Sequence, residues 1–276
     1  MIFLNGGFVC LPVGVAAHIL RIPIVIHDGD TTPGLANRIL ARFAAVIGTG
    51  SPIKNYPNYP KKITKFIGVP TRDEMREFSS SEQKSAKEKL GFSASKKLIF
   101  ITGGGQGAVA LNEVVVKAAL QIIKNDTQIL LLAGKNNSRK IEVPKSQKDS
   151  FKVKEFLTDD YITAVAAADI VITRAGATTI AELAIAKKPV IIVPNSHLAG
   201  DHQTKNAVIY ADADAAIVLS QDEISNHPKV LEDAVIDLLN DQDRRKKLSQ
   251  NLAKFAKPNA LDEIVEMILS TGGMKI

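Results

Sequence analysis

The sequence predicts an α/β fold built on parallel sheets, and three observations carry that expectation. Short apolar runs rich in β-branched residues alternate with stretches of helical periodicity along almost the whole chain, as in sheets covered by helices on both faces. The runs lack polar alternation, so each strand should be buried on both sides. The run at 98–102 passes through a glycine turn directly into an apolar helical pattern, the connection from which α/β ligand sites are built.

In chain order, residues 2–4 read as a first buried strand, Gly6-Gly7 as a turn, and a helix follows near Pro12, since proline is tolerated in a first turn. A strand at 23–27, a helix at 34–43 and a strand at 45–49 come next. Between Pro70 and Lys97 the charged, serine-rich stretch with a helix at 82–90 reads as a linker. Further strands are expected at 98–102, 128–133, 170–173, 189–194 and 216–219. Helices are expected at 107–123, 160–167, 177–186, 200–211, 228–239 and 242–254. Pro258 interrupts the last apolar pattern and opens a final helix that could cross back to the first domain. The expected division is an N-terminal domain at 1–71, a second domain with its linker at 72–256, and the final helix at 257–276. Opening inside a core strand suggests further material upstream.

A length of 276 residues suits two domains, and 45% hydrophobic with 23% charged residues excludes disordered, fibrous and disulfide-stapled classes. Cys10 is the only cysteine, so there is no internal disulfide, cysteine zinc site or redox pair, and a reducing, cytoplasmic setting is expected. The apolar opening lacks the basic start of a signal peptide, and Asn5, Gly6-Gly7, Pro12 and His18 break it as a membrane span. The net charge is +6, and residues 1–65 hold seven Lys/Arg against two acids. Such a basic segment suits an anionic membrane surface or a pyrophosphate. Nucleic acid is not expected as a partner, because aromatics are 5%, tryptophan is absent and no reading motif accompanies the charge.

Three groups carry the chemistry. Gly103 to Gly107 follow a strand and precede a helix, offering free N–H groups and a positive dipole end to a pyrophosphate. The spacing fits neither a dinucleotide fingerprint nor a P-loop. After the strand at 170–173, Arg174-Ala175-Gly176-Ala177-Thr178-Thr179-Ile180-Ala181-Glu182 supplies a turn, a helix start and a carboxylate able to accept from both ribose hydroxyls. The third group, Asp201-His202-Gln203-Thr204-Lys205-Asn206, follows a strand end, and Gln203 could donate to and accept from sugar hydroxyls. Each could instead be a packing turn, a helix acid or a solvated helix face.

These groups in this order, with Glu155-Phe156-Leu157 between the first and second, resemble the MurG family. Those are the UDP-N-acetylglucosamine:lipid I transferases of bacterial peptidoglycan synthesis. The likeness extends to Gly6-Gly7-Phe8, Ile22 to His27, Gly34-Leu35-Ala36-Asn37 and Gly68-Val69-Pro70-Thr71-Arg72. The resemblance implies a GT-B enzyme with two Rossmann-like domains, the first incomplete, that makes lipid II for the cell wall at the cytoplasmic face of the membrane. Its donor is UDP-N-acetylglucosamine and its acceptor lipid I, undecaprenyl-pyrophosphoryl-MurNAc-pentapeptide, with no cofactor and no metal. It also implies residue roles. Leu157 would clamp uracil through its backbone, Glu182 hold the ribose, and Arg72 and Asp30 touch the donor. Gly104, Gly105, Gln106 and Gly107 with Ala177, Thr178, Thr179, Ile180 and Ala181 would hold the diphosphate. Gln203 would hold the sugar hydroxyls, and Gly6, Gly7 and Phe8 lie on the acceptor side.

The departures are specific. Gly105 stands where the family usually has serine, and Asp28-Gly29-Asp30 stand for the usual Glu-Gln-Asn after His27. Asp28 is the one candidate for the catalytic base, which otherwise has no assignment. Asp28 and Asp30 could also cap the following helix. The family's Gly-Gly-Thr-Gly-Gly-His loop does not occur in these 276 residues. The expectation is therefore a fragment, or a second polypeptide that supplies the loop, as in the two-chain dolichol-linked N-acetylglucosamine transferase of eukaryotes. A different UDP-sugar enzyme of the same fold, or a non-catalytic donor-binding module, is the alternative.

Overall fold

In the computed structural model, residues 1–104, 108–124, 126–135, 137–138, 141–158, 160–196 and 201–273 are described. Among them the chain forms two units, Met1–Arg72 with Phe255–Ile276, and Asp73–Lys254.

Unit 1 is a parallel four-stranded sheet in the order β1 (Ile2–Leu4), β2 (Ile24–Asp28), β3 (Val46–Thr49), β4 (Thr64–Phe66). Helices α1 (Cys10–Ile19) and α2 (Leu35–Leu40) link the first three strands and bury Leu4, Ile24, Ile26, Leu40 and Ile47 with Tyr56 and Tyr59. The other face takes the last helix, α11 (Ala260–Thr271), whose Ile264 and Met267 pack on Val25 and Ile67. Gly48 on β3 makes room for this layer, because a Cβ there would collide with Ile67 and stand 3.2 Å from Met267 of the helix.

Unit 2 is a parallel six-stranded sheet. Its strands are β5 (Lys97–Thr102), β6 (Thr127–Leu132), β7 (Phe151–Lys154), β8 (Ile170–Thr173), β9 (Val190–Ile192) and β10 (Ile217–Val218), ordered β10-β9-β8-β5-β6-β7. On one face α4 (Val109–Lys124), α8 (Gln221–Asn226) and α9 (Pro228–Asn240) bury Leu111, Val115, Ile224, Leu231 and Val235 against Ile99, Ile101, Ile170 and Ile172. Elsewhere α3 (Ser80–Lys89) packs on α5 (Asp160–Ala167), and α10 (Gln242–Ala253) on α6 (Ala177–Ile185) and α9. Helix α7 (His202–Asp212) precedes β10.

The linker expected between Pro70 and Lys97 is instead, from Asp73 onward, part of unit 2. Helix α3 begins with a capping box on Ser79 and Glu82. Its Lys87 is buried and donates to Asp169 at 2.7 Å, while Gln83 donates to the carbonyl of Ala168 at 2.9 Å. One charged residue of the stretch, Lys87, thus faces inward to Asp169 between α5 and β8, while Lys84, Glu88 and Lys89 on the same helix are exposed. Strands β4 and β7 and helix α8 were not expected. Both strands lie at sheet edges and carry lysines, exposed Lys65 in Thr-Lys-Phe, and in Phe-Lys-Val-Lys exposed Lys154 with half-buried Lys152, whose Nζ donates to the carbonyls of Leu90 and Gly91. Lysine on an edge protects it from unwanted pairing and also breaks the apolar run by which central strands are read.

Candidate nucleotide-sugar site

Strand β5 is the pivot of unit 2, with β6 and β7 on one side and β8, β9 and β10 on the other. The strand order therefore reverses between β5 and β8, and the loops leaving their carboxyl ends diverge and open a crevice. Thr102 at the end of β5 is in register with Thr173 at the end of β8, so those two loops start side by side.

The β5 loop begins Gly103-Gly104. Gly104 has φ +79°, donates its N–H to Thr102 Oγ1 at 3.3 Å, and has no atom of the described residues within 4 Å of where a Cβ would stand. That left-handed backbone favours glycine, and the open space keeps the amides approachable. Gly105, Gln106 and Gly107 lie outside the described residues.

The β8 loop runs Arg174-Ala175-Gly176 into α6. Gly176 is an extended N-cap without a side-chain capping bond, so the first helical N–H groups keep their donor capacity and the positive dipole end is open. Ala177, Thr178 and Thr179 sit there, none of them buried. The N–H of Ile180 already bonds Gly176 O at 3.0 Å and its side chain is in the core, so the open donors end at Thr179. Glu182 lies one turn further along α6 and is 1% exposed, so its side chain does not lie on a solvated helix face.

The end of β9 completes the frame. Val193 N–H bonds Thr173 O at 2.8 Å, Asn206 Nδ2 on α7 donates to Ala175 O at 3.1 Å, and Gln203 Oε1 accepts from Asn195 N–H at 2.9 Å. Arg174 Nη1 donates to the carbonyls of Val193 at 2.9 Å and Pro194 at 3.3 Å. Asp201, the N-cap of α7, has φ +50° and makes no side-chain cap bond. Among the described residues, Thr173 Oγ1, Asp201 Oδ1, His202 Nδ1 and Thr204 Oγ1 are buried atoms without a partner. Buried polar atoms are costly unless something bonds them, and among the described residues one of these lies at the end of β8 and three at the start of α7. Leu157, 8% exposed, follows the end of β7 beside the 61% exposed Phe156.

In unit 1, Gly6 and Gly7 follow β1 with φ +91° and +89°, leading to Phe8, which is 90% exposed. Asp28 ends β2 and is buried. It accepts from the Tyr59 hydroxyl at 2.6 Å, and also from the Asn37 side chain and Gly34 N–H. Burial raises its pKa despite these donors. Tyr56, stacked on Tyr59 with ring centroids 5.4 Å apart, donates its hydroxyl to the Asp30 carbonyl. The carboxylate thus clasps the loop at 29–34. It reaches the N-cap of α2, Gly34, through its N–H, and no side chain caps the helix in the usual way. His27 bridges Asn5 Oδ1 and Gly68 O, both at 2.9 Å, and burial lowers its pKa despite the Gly68 carbonyl and the Asp28 charge. Asp30 is half-buried, and Arg72, the last residue of the first stretch of unit 1, is exposed.

Sequence reasoning missed Tyr56 and Tyr59 as partners of the 28–30 loop, although Asn-Tyr-Pro occurs twice in succession at 55–60. It quoted Arg174 and Asn206 within motifs without giving them a role.

Comparison with known proteins agrees with this geometry. The C-terminal domain of glycosyltransferase family 28 matches residues 98–264 and the N-terminal domain of that family residues 1–49. A UDP-N-acetylglucosamine--N-acetylmuramyl-(pentapeptide) pyrophosphoryl-undecaprenol N-acetylglucosamine transferase of Natranaerobius thermophilus is 33% identical over 274 residues, covering 96% of this chain and 73% of that protein. The transferase of the same name from Halothermothrix orenii is 34% identical over 278 residues, covering 97% and 73%. The crystal structure of Acinetobacter baumannii MurG superimposes with a TM-score of 0.77 at 27% identity, covering 97% of this chain and 72% of that one. The S. aureus MnaA-UDP co-structure, at 15% identity and a TM-score of 0.69 over 100% of this chain and 76% of that one, shares the fold.

Proposed function

The chain belongs to glycosyltransferase family 28 and, within it, to the UDP-N-acetylglucosamine--N-acetylmuramyl-(pentapeptide) pyrophosphoryl-undecaprenol N-acetylglucosamine transferases, and on that premise we propose that it moves N-acetylglucosamine from UDP-N-acetylglucosamine to lipid I. In the inverting reaction the muramyl 4-hydroxyl attacks the anomeric carbon and gives its proton to a base, that carbon's bond to the diphosphate oxygen breaks, and UDP leaves as lipid II forms. The product serves peptidoglycan synthesis. The observation that carries this reading is the crevice at the β5/β8 switch point, with an uncapped helix start and buried polar atoms that have no partner among the described residues.

The donor's diphosphate lies against Gly104 and the amides of Ala177 to Thr179; the expected contribution of Gly105, Gln106 and Gly107 falls outside the described residues. Amides and dipole stabilise the departing charge without reorganising. Leu157 clamps uracil and Glu182 the ribose hydroxyls. Gln203, whose Oε1 is engaged by Asn195 N–H, turns its Nε2 to a sugar hydroxyl. Arg72 and Asp30 add donor contacts, and Gly6, Gly7 and Phe8 serve the acceptor. The donors gathered on Asp28 favour a loop clasp over a proton acceptor.

The acceptor is a lipid, and unit 1 supports docking to the anionic cytoplasmic face of the cell membrane. Phe8, Val9, Ile19 and Leu20 are 69–90% exposed, and Arg21, Arg38 and Arg42 are exposed in the same unit. Apolar insertion plus basic attraction is the usual pairing for peripheral binding. Among the described residues, no helix is long and apolar enough to cross a membrane.

The test is a transfer assay with UDP-N-acetylglucosamine and a lipid I analogue, run on the chain alone and with a polypeptide that supplies a Gly-Gly-Thr-Gly-Gly-His segment. Acceptor-dependent release of UDP supports the proposal. Consumption of the donor without acceptor would favour an epimerase, and nucleotide binding without transfer under both conditions would leave a donor-binding module.

A further inference from the structure

We infer that Arg174 supplies a fixed positive charge that offsets the donor's diphosphate, held in place by main-chain carbonyls in place of a carboxylate. This rests on the donor reading above and names a residue that the reading does not use.

Unit 2 buries three cations among its described residues, Lys87, Lys188 and Arg174, each below 8% exposure. Lys87 has a carboxylate, Asp169, at 2.7 Å. Lys188 donates to the carbonyls of Ala166 and Ala168 at 2.9 Å each and feels the charge of the same Asp169. Arg174 has neither. Among the described residues no acid pairs with it, its two bonds go to neutral carbonyls, and burial alone lowers its pKa, to about 10. It is therefore charged throughout the physiological range. A guanidinium has five N–H donors, and among the described residues the bonds to Val193 and Pro194 use Nη1.

A buried charge without a counter-ion costs stability, so this position is unfavourable until an anion arrives. The location says which anion. Arg174 is the first residue after β8, beside Thr173, whose buried hydroxyl lacks a partner among the described residues, and two residues before the N-cap of α6. The same switch-point crevice receives the β5 glycine loop. The carbonyls of Val193 and Pro194 keep the guanidinium from swinging away, and the bonds from Val193 N–H to Thr173 O and from Asn206 Nδ2 to Ala175 O brace both strand ends. A charge held this way needs no rearrangement as negative charge builds on the leaving diphosphate. The competing role is a purely structural staple between β8 and β9.

Calorimetry of the 276-residue chain with UDP and with uridine separates the two roles. Arg174→Gln keeps a donor for the carbonyls and removes the charge. UDP affinity should fall about 10- to 100-fold, the range for bonds to charged groups, while uridine affinity changes less than about 3-fold and the melting temperature without ligand is unchanged or higher. Arg174→Lys, which keeps the charge, should recover part of the UDP affinity. Equal weakening of UDP and uridine, or a lowered melting temperature with both affinities unchanged, would assign the staple role and overturn the inference. Wild-type chain that binds uridine and UDP equally would overturn it too, while leaving the nucleoside reading of the site intact. Wild-type chain that binds neither would overturn the donor reading itself.

Discussion

The sharpest functional prediction concerns Glu182. Its side chain is 1% exposed, one turn inside α6, the helix whose uncapped start is assigned to the diphosphate. If its carboxylate accepts from both ribose hydroxyls, Glu182→Gln keeps the volume, and so avoids a cavity, but replaces charge-assisted bonds with neutral ones. Bonds to a charged group are worth about 1.5 to 3 kcal/mol and neutral ones about 0.5 to 1.5 kcal/mol. The net loss is then about 1 to 2 kcal/mol, or roughly 5- to 30-fold in UDP affinity. Removing the 2′-hydroxyl from the ligand attacks the same interaction from the other side. A cycle of wild type and Glu182→Gln against UDP and 2′-deoxy-UDP, measured by calorimetry with folding checked by thermal melting, should therefore be non-additive by about 0.5 kcal/mol or more. Additive losses, with the variant folded, would mean that the carboxylate and the ribose do not meet.

Other predictions follow from the same geometry. Asp169→Asn strands the buried Lys87 ammonium and should cost about 3 to 5 kcal/mol, as breaking one side of a buried pair does; denaturant unfolding measures it, and a loss below 1 kcal/mol would contradict the account. Burial pushes the Asp169 carboxyl up, but Lys87, the Leu98 N–H and Lys97 together hold it below its ordinary value. The stability it contributes is therefore present above the ordinary aspartate range and fades as pH falls through its depressed pKa. A pH series of melts should show this acid-side loss in wild type and a smaller one in Asp169→Asn, and identical slopes would refute it. Tyr59→Phe removes the 2.6 Å donor from Asp28 and should move that raised carboxyl pKa still further up, read by carbon-13 NMR of the aspartate side chains; an unmoved Asp28 would dissolve the clasp. Gly50→Ala places a Cβ against the Gly29 carbonyl, and backbone there yields poorly, so unit 1 should lose about 1 to 3 kcal/mol of stability. A neutral Gly50→Ala would show that the loop after β2 is looser than the bonding implies.

What the sequence made legible follows burial. Ile-Val-Ile-Thr of β8 carries no polar residue in its interior and is central, so its bounds were expected as they stand. The edge strands β4 and β7 trade that signature for lysines and passed unseen. At the site, contiguous features were readable: the glycines after β5, the helix start after β8 and Gln203. Interactions across sequence distance were not. Tyr59 and Asp28 are 31 positions apart, and no local spacing brings a tyrosine hydroxyl to a carboxylate across that span. Arg174 went without a role for a related reason. An arginine beside a strand end ordinarily reads as solvated, and only the fold places the carbonyls of Val193 and Pro194 where they can hold it inside.

The central claim is that UDP-N-acetylglucosamine sits at the carboxyl ends of β5 and β8, and amide NMR of the isotope-labelled chain during titration tests it most directly. The account predicts saturable shifts at Gly103, Gly104, Arg174 to Thr179 and Gln203, reproduced by UDP and absent with ADP. Shifts confined to other strand ends, or equal responses to ADP and UDP at these residues, would contradict it.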